Sequence, residues 1–294
     1  MALIAVAELE ALDAAVRNAL ATHDPSALTV LGYGEISSVV GWPTDRPRVA
    51  CKLLPPMTPQ QLHDYGRVFA RYLDVLNERG VTVPRSELHE VDRPDGTVAA
   101  YVLQPVLPAE ALVPRLLADT APDSHHPVVA RIVAAVTRTV SDRVGLDAQL
   151  SNWAVVGGAL QFLDVTTPML RDGAGRELLD LEPVVRSVPA PLRPAVRRFV
   201  APDILGRYYD PRNALRDIVA NLHKERLTPW IPAVLDAANA VVAPALTAEE
   251  VAKDYRSDAR MWAAMQRLRR ADRAWQRGIR RRTYPFLLPG RIER

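Results

Sequence analysis

The run GLDAQLSNWAVVGGALQFLDVTTP, Gly145 to Pro168, carries two aspartates and an asparagine around two short apolar segments. Those segments, Trp153–Val156 and Ala159–Leu163, flank Gly157-Gly158, the pattern of a β-hairpin closed by a tight two-residue turn. Asp147 and Asn152, spaced Asp-x-x-x-x-Asn, precede the first segment, and Asp164 follows the second. Folding the hairpin delivers an aspartate, an amide and a second aspartate to its two ends. Phosphoryl transfer to a hydroxyl needs such a set: a carboxylate to orient or deprotonate the acceptor, and oxygen ligands for Mg²⁺.

Upstream of that run, Val128, Val129, Ile132, Val133, Val136 and Val140 form the apolar face of a helix that leads into the Asp147 loop. Further back the pattern changes to period two. Leu28–Leu31 begins a strand, Gly32-x-Gly34 makes a turn, and Val39-Val40 lies on a returning strand. Arg48–Leu54 is a third strand with Lys52 inside it, and an ammonium in such a run needs a partner or water. Thr58-Pro59 has the form of a helix start, and the helix runs to Glu78 before Gly80, with Leu62, Tyr65, Phe69, Tyr72, Leu73 and Leu76 on one face. Strands near Glu87–Val91 and Thr97–Leu103 follow, joined by Asp95-Gly96, and Gln104 to Pro108 reads as a connector. From Leu178 onward, helical patterns punctuated by proline continue to the end. The expected fold is therefore α+β and bilobal. Residues 1–105 form a lobe with an N-terminal helix, a five-stranded antiparallel sheet and one main helix. Residues 106–294 form a mostly helical lobe containing the hairpin over 145–168 and a basic C-terminal helix.

Composition narrows the class. The chain has 294 residues, 48% of them hydrophobic and 24% charged, which suits a soluble globular protein large enough for two cores. A single cysteine, Cys51, excludes an internal disulfide and a cysteine-based zinc site, and fits a reducing cytoplasm. No apolar run approaches the ~18 residues of a membrane span, so no membrane partner is expected. The opening MALIAVAELEALDAAVRNAL lacks a basic leading segment, and Leu9, Leu12, Val16 and Leu20 recur at helical spacing, so it reads as an amphipathic helix and not a signal peptide. The net charge of +3 hides an asymmetry: from Arg256 onward twelve arginines face only Asp258, Asp272 and Glu293, leaving the rest of the chain net acidic.

Taken in order, Gly32-x-Gly34-x-x-Ser37-x-Val39, Val49-Ala50-Cys51-Lys52, Asp147-x-x-x-x-Asn152 and Asp164 resemble the protein-kinase-like superfamily, including its small-molecule branch of aminoglycoside- and choline-type phosphotransferases. The resemblance covers about residues 28 to 170, and the helical remainder only by architecture. It implies ATP and Mg²⁺ as cofactors and transfer of the γ-phosphate to a hydroxyl of a small molecule. Gly32, Tyr33 and Gly34 would form the phosphate loop, with Ser37 where a third glycine often stands. Lys52 would contact the α- and β-phosphates, and Gln104 and Val106 in the connector complete the nucleotide-binding set. Asp147 would be the catalytic base, and Asn152 and Asp164 the metal ligands.

The departures point to the small-molecule branch. Gly145-Leu146 precedes Asp147 where protein kinases carry His-Arg, Val165-Thr166 follows Asp164 in place of Phe-Gly, and no phosphorylated activation loop is evident. The family's glutamate partner for the lysine has no clear counterpart: Asp64, Asp74 and Glu78 fall off the apolar face of their helix, and Glu90 is the other candidate. That gap, with the basic tail, keeps open a pseudokinase or nucleotide-binding scaffold without turnover; a kinase-fold nucleotidyltransferase is a third alternative. His63, His125 and His126 have no companions at metal-ligand spacing. Arg171 and Arg176 read as loop residues. The Arg207–Arg212 cluster, with Arg216, Asn221, His223, Lys224 and Glu225 following on helical spacing, reads as an interlobe ion-pair network in preference to an acceptor pocket. Met261, Trp262, Met265, Leu268 and Trp275 are available to dock the basic helix, which leaves nucleic acid as a minor possibility.

Overall fold

The computed structural model describes residues 2–22, 24–33, 38–93, 96–186, 188, 190, 193–200 and 205–279. The architecture is mixed α+β: a five-stranded antiparallel sheet in the N-terminal part, a separate two-stranded hairpin, and helices around and after it. Helix α1 (Val6–Thr22) leads into β1 (Thr29–Tyr33), β2 (Ser38–Trp42) and β3 (Val49–Leu53). Helix α2 (Pro59–Glu78) separates these from β4 (Glu87–Asp92) and β5 (Val98–Pro105). The strand order is β1-β2-β3-β5-β4.

The sheet is a middle layer, and β5 shows why. Ala99 to Leu103 are all buried. Because side chains alternate, Ala99, Tyr101 and Leu103 share a core with Leu9, Leu12, Val16 and Leu20 of α1. Ala100 and Val102 point the other way and share a core with Leu62, Tyr65, Phe69 and Tyr72 of α2. The same alternation acts on β3. Val49 and Cys51 belong to the α1 side. Lys52, in register with Val102, therefore faces the α2 side. Helix α1 is also held by a buried charge: Asp13 accepts hydrogen bonds from Arg93 Nη2 at 2.7 Å and Tyr101 Oη at 2.8 Å, and pairs with Arg17 at 3.0 Å.

The start of α2 has the form its sequence predicts. Thr58 accepts from the Gln61 N–H while the Gln61 side chain accepts from the Thr58 N–H, and Pro59 occupies the first turn. After α2, Gly80 adopts φ 71°, a left-handed conformation that ends a helix at little cost in glycine.

After β5 come α3 (Val113–Ala118) and α4 (Pro127–Thr139), then the hairpin β6 (Trp153–Val156) and β7 (Ala159–Phe162). Gly157 and Gly158 have φ 56° and 80°, the two positive values that a tight hairpin turn requires. Helices α5 (Glu182–Val185), α6 (Pro211–Asn221), α7 (Ile231–Asn239) and α8 (Ala248–Gly278) follow. One apolar core runs from α2 and β5 through α4, Trp153 and Phe162 into α6 and α7, so it crosses the 104–108 connector. Gly34, Ser37, Asp95 and the segment after Ile279 lie outside the described residues. In α8 the packing expectation is met only in part: Met261, Trp262 and Met265 are half-buried, whereas Leu268 and Trp275 are 41% and 53% exposed.

Candidate functional site

Lys52 of β3 and Asp164, just past β7, are 112 positions apart in sequence and meet at 2.9 Å between Nζ and Oδ1. The alternation of β3 aims the lysine, and the hairpin brings the aspartate to it. Thr166 adds its hydroxyl to the same Oδ1 at 2.7 Å. Burial opposes ionisation of Asp164, but the Lys52 ammonium and the Lys52 and Thr166 hydrogen bonds outweigh it and hold the carboxyl below its ordinary range. The acid that Lys52 lacked in the sequence is therefore Asp164. Glu90 is exposed on β4, and Asp64 pairs with Arg67 on the surface of α2. From the same helix, Tyr65 reaches the site and donates its hydroxyl to the Thr166 carbonyl at 3.1 Å.

Asp147 sits in a loop clamped along its backbone. The Tyr72 hydroxyl donates to the Gly145 carbonyl at 2.9 Å, the Leu146 N–H donates to Tyr208 at 3.2 Å, and Trp153 Nε1 donates to Ala148 at 3.1 Å. Gly145 is required by a close approach: a Cβ there would lie 2.8 Å from the Cβ of Met169. Asn152 closes the loop by donating Nδ2 to the Asp147 carbonyl at 2.9 Å, which leaves its Oδ1 as the acceptor. The Leu163 N–H returns to the Asn152 carbonyl at 2.8 Å, tying the Asp164 end of the hairpin to the same loop. Burial first, and then the charge of Asp164, push the Asp147 carboxyl upward against the pull of Lys224 and the Gln149 hydrogen bonds. Two carboxylates of one site are thus driven in opposite directions.

Residues beyond the expected set complete the surroundings. Lys224 donates to Gln149 Oε1 at 3.3 Å, and Gln149 Nε2 approaches Asp147 Oδ2 at 3.4 Å. Glu225 Oε1 accepts the Ser151 N–H at 2.7 Å, while its Oε2 is buried without a hydrogen-bond partner among the described residues. Burial pushes the Glu225 carboxyl up to about 7. Asp217 of α6 is also raised, by burial and by the Asp147 charge, although Arg207 stands 3.3 Å away. Lys224 and Glu225 stand out in the sequence as part of the cluster after Arg207, and Asp217 does not; that all three lie near the Asp147 loop follows only from how the helices pack.

Other expected residues are placed differently. Gln104 Nε2 donates to the Leu163 carbonyl and to Ser86 Oγ, both at 2.9 Å, so its amide nitrogen braces the hairpin against the sheet. The Val106 N–H is spent on the Arg48 carbonyl at 3.0 Å. Gly32 lies on β1, opposite Val39, where an added Cβ would meet open space. Tyr33 pairs with Ser38 through the backbone, and Gly34 and Ser37 are outside the described residues. Arg171 pairs with Glu177 at 2.7 Å and stacks over Tyr209, Arg176 pairs with Asp172 at 2.8 Å, and Arg207, Arg212 and Arg216 pair with acids of α6 and α8. The cluster does form an ion-pair network, but its pairs join α6 and α8 within the helical part and do not run between lobes as expected. A cavity of about 800 Å³ lies between α1 and the β3–α2 connection, and neither Asp147 nor Asp164 lines it. Among the described residues no group of three or more His, Cys, Asp and Glu could hold a metal ion.

The chain belongs to a family of unknown function, DUF6206, which it matches over residues 11–273. No curated protein matches it.

Proposed function

We propose that this member of DUF6206 has a bilobal, kinase-like fold and is an ATP- and Mg²⁺-dependent phosphotransferase acting on a hydroxyl of a small molecule. The observation that carries the reading is the Lys52–Asp164 pair at 2.9 Å, with Asp147 and Asn152 in the loop bound to the same hairpin. A strand lysine beside a carboxylate suits nucleotide phosphates, because the lysine offsets their charge and the carboxylate remains ionised. Asp147, with its proton affinity raised, suits orientation of an acceptor hydroxyl and acceptance of its proton. Asn152 Oδ1 and the Asp164 carboxylate are hard oxygen donors, too few for a protein cage but sufficient to hold Mg²⁺ that arrives with a nucleotide. Asn152 and Asp164 would hold the ion, which would offset the phosphates' charge, while Asp147 would keep the acceptor hydroxyl in line.

One observation favours the second reading, a nucleotide-binding scaffold without turnover. No acid of α2 reaches Lys52, and the Val106 N–H is already engaged. Calorimetric titration of Mg·ATP into the wild type, Asp164→Ala and Asp147→Asn separates the two. The phosphotransferase reading expects binding to the wild type, loss in Asp164→Ala, retained binding in Asp147→Asn, and a fall in turnover of ~10³-fold or more in Asp147→Asn on an accepted substrate. Binding without product across an acceptor screen supports the scaffold. No binding by the wild type at millimolar nucleotide overturns both.

A further inference from the structure

The cavity between α1 and the β3–α2 connection has walls of two kinds. The packed face of α1 carries Leu9, Leu12, Val16 and Leu20. Beside that face Ala14, Arg17, Asn18 and Ala21 follow at i, i+3, i+4 and i+7, so they form one strip, and all four are exposed. Ala14 and Ala21 end at a methyl group, which leaves the space to the opposite wall unfilled. That wall is Pro55, Pro56 and Met57, which belong to no helix or strand. Two consecutive prolines stiffen it and give it no backbone N–H to donate.

The charged lining is of one sign. Arg17 and Arg93 border the cavity, and no Asp or Glu is among the described residues that line it. Both guanidinium groups hold Asp13, Arg17 through Nε at 3.0 Å and Arg93 through Nη2 at 2.7 Å. The carboxylate stays behind them: its side chain is 2% exposed, against 42% for Arg17 and 17% for Arg93. Two positive charges against one negative leave this wall net positive by one. Helix α2 also begins at the cavity, with Pro59 on the lining, and the positive end of its dipole acts in the same sense.

We propose that this cavity is a binding site for a small organic monoanion, a carboxylate on an apolar, ring-bearing body. Its volume of about 800 Å³ falls in the roughly 300–1,000 Å³ range of small-molecule sites, which are mostly apolar with a few convergent polar groups. Asp13 takes the Nε of Arg17, and the Nη pair of that guanidinium can meet a carboxylate with two parallel N–H donors. The charge balance selects the anion. A single carboxylate neutralises the wall, whereas a phosphate dianion would keep a charge beside apolar groups. The alanine and proline walls are shallow and stiff, so they suit a flat ring and need little ordering when one binds. Neither Asp147 nor Asp164 lines the cavity, so the site stands whether or not the chain transfers phosphate.

Titration calorimetry on the full chain with 2-naphthylacetate and 4-phenylbutyrate, each beside its neutral amide, tests the proposal. The expected result is saturable binding of the carboxylates with Kd of ~1 mM or below, and binding of the amides weaker by about tenfold or more. Carboxylate binding should also weaken between ~0.05 and ~0.5 M NaCl. Arg17→Gln is expected to weaken the carboxylates about tenfold, the size of one charge-assisted contact, and to leave the amides unchanged. Ala21→Trp fills the cavity from an exposed position and is expected to abolish carboxylate binding at unchanged helix content and Tm. It leaves Asp13, Arg17 and Arg93 in place, so it decides the case where Arg17→Gln proves unstable. No saturable binding of either carboxylate at ~10 mM, amides bound as tightly as carboxylates, or binding indifferent to both variants would overturn the proposal.

Discussion

Asp147, Asp164 and Glu225 are three carboxylates in one neighbourhood with three different fates, and the difference lies in their partners. Asp164 has an ammonium at 2.9 Å and a hydroxyl at 2.7 Å, so it stays ionised despite burial. Asp147 has only weak hydrogen bonds from Gln149 and a like charge nearby, so burial dominates. Glu225 gains one backbone N–H and leaves its other oxygen unmatched. Its pKa in the folded chain, about 7, lies above its ordinary value. The native state therefore holds this proton more tightly, and stability is lost as pH rises through about 7. Thermal unfolding of Glu225→Gln should match the wild type near pH 5 and exceed it above pH 8 by ~1–3 kcal/mol, the usual cost of a buried unsatisfied group. Equal differences at both pH values would refute that account.

Helix α1 is held to the sheet by Asp13 as much as by its apolar face. The carboxylate joins Arg17 of its own helix, Arg93 beyond β4 and Tyr101 of β5. Burial opposes its ionisation, but hydrogen bonds from Arg93 and Tyr101 outweigh this and keep its pKa low. Asp13→Ala strands the half-buried Arg93 guanidinium and should cost on the order of 3 kcal/mol at pH 7. Because the native pKa is depressed, that contribution is present above about 3.9, the unfolded value, and fades as the pH falls through the native one. Denaturant titrations at pH 7 and pH 3 check it; a difference that did not shrink in acid would contradict the charge-based explanation.

Across the whole molecule the Lys52–Asp164 pair joins the sheet to the hairpin, with Gln104 and Tyr65 bracing the same junction. Both side chains are only partly exposed, 20% and 30%, so the pair is screened less than a surface ion pair. A double-mutant cycle with Lys52→Met and Asp164→Asn should give a coupling of about 0.5–3 kcal/mol at pH 7. The coupling should vanish as the pH falls through the lowered pKa of Asp164. A value near zero at pH 7 would mean that the junction rests on packing and on Gln104 alone.

Local chemistry made several elements legible in advance. Gly157-Gly158 specified a hairpin turn because both positions need positive φ, and Thr58-Pro59 with Gln61 specified a helix start because those groups satisfy the first turn's donors. Period-two and helical patterns placed α1, the five strands and α4 for the same reason: each depends on neighbours within a few residues. The partner of Lys52 was not legible that way. The search along α2 followed a helix face, whereas the lysine's direction depends on its register with Val102 and the acid arrives from a hairpin over a hundred residues later. The approach of Lys224, Glu225 and Asp217 to the Asp147 loop was hidden for the same reason, and so was the exposure of Leu268 and Trp275 on α8. Periodicity finds an amphipathic helix, but which face is covered depends on what the rest of the chain packs against it.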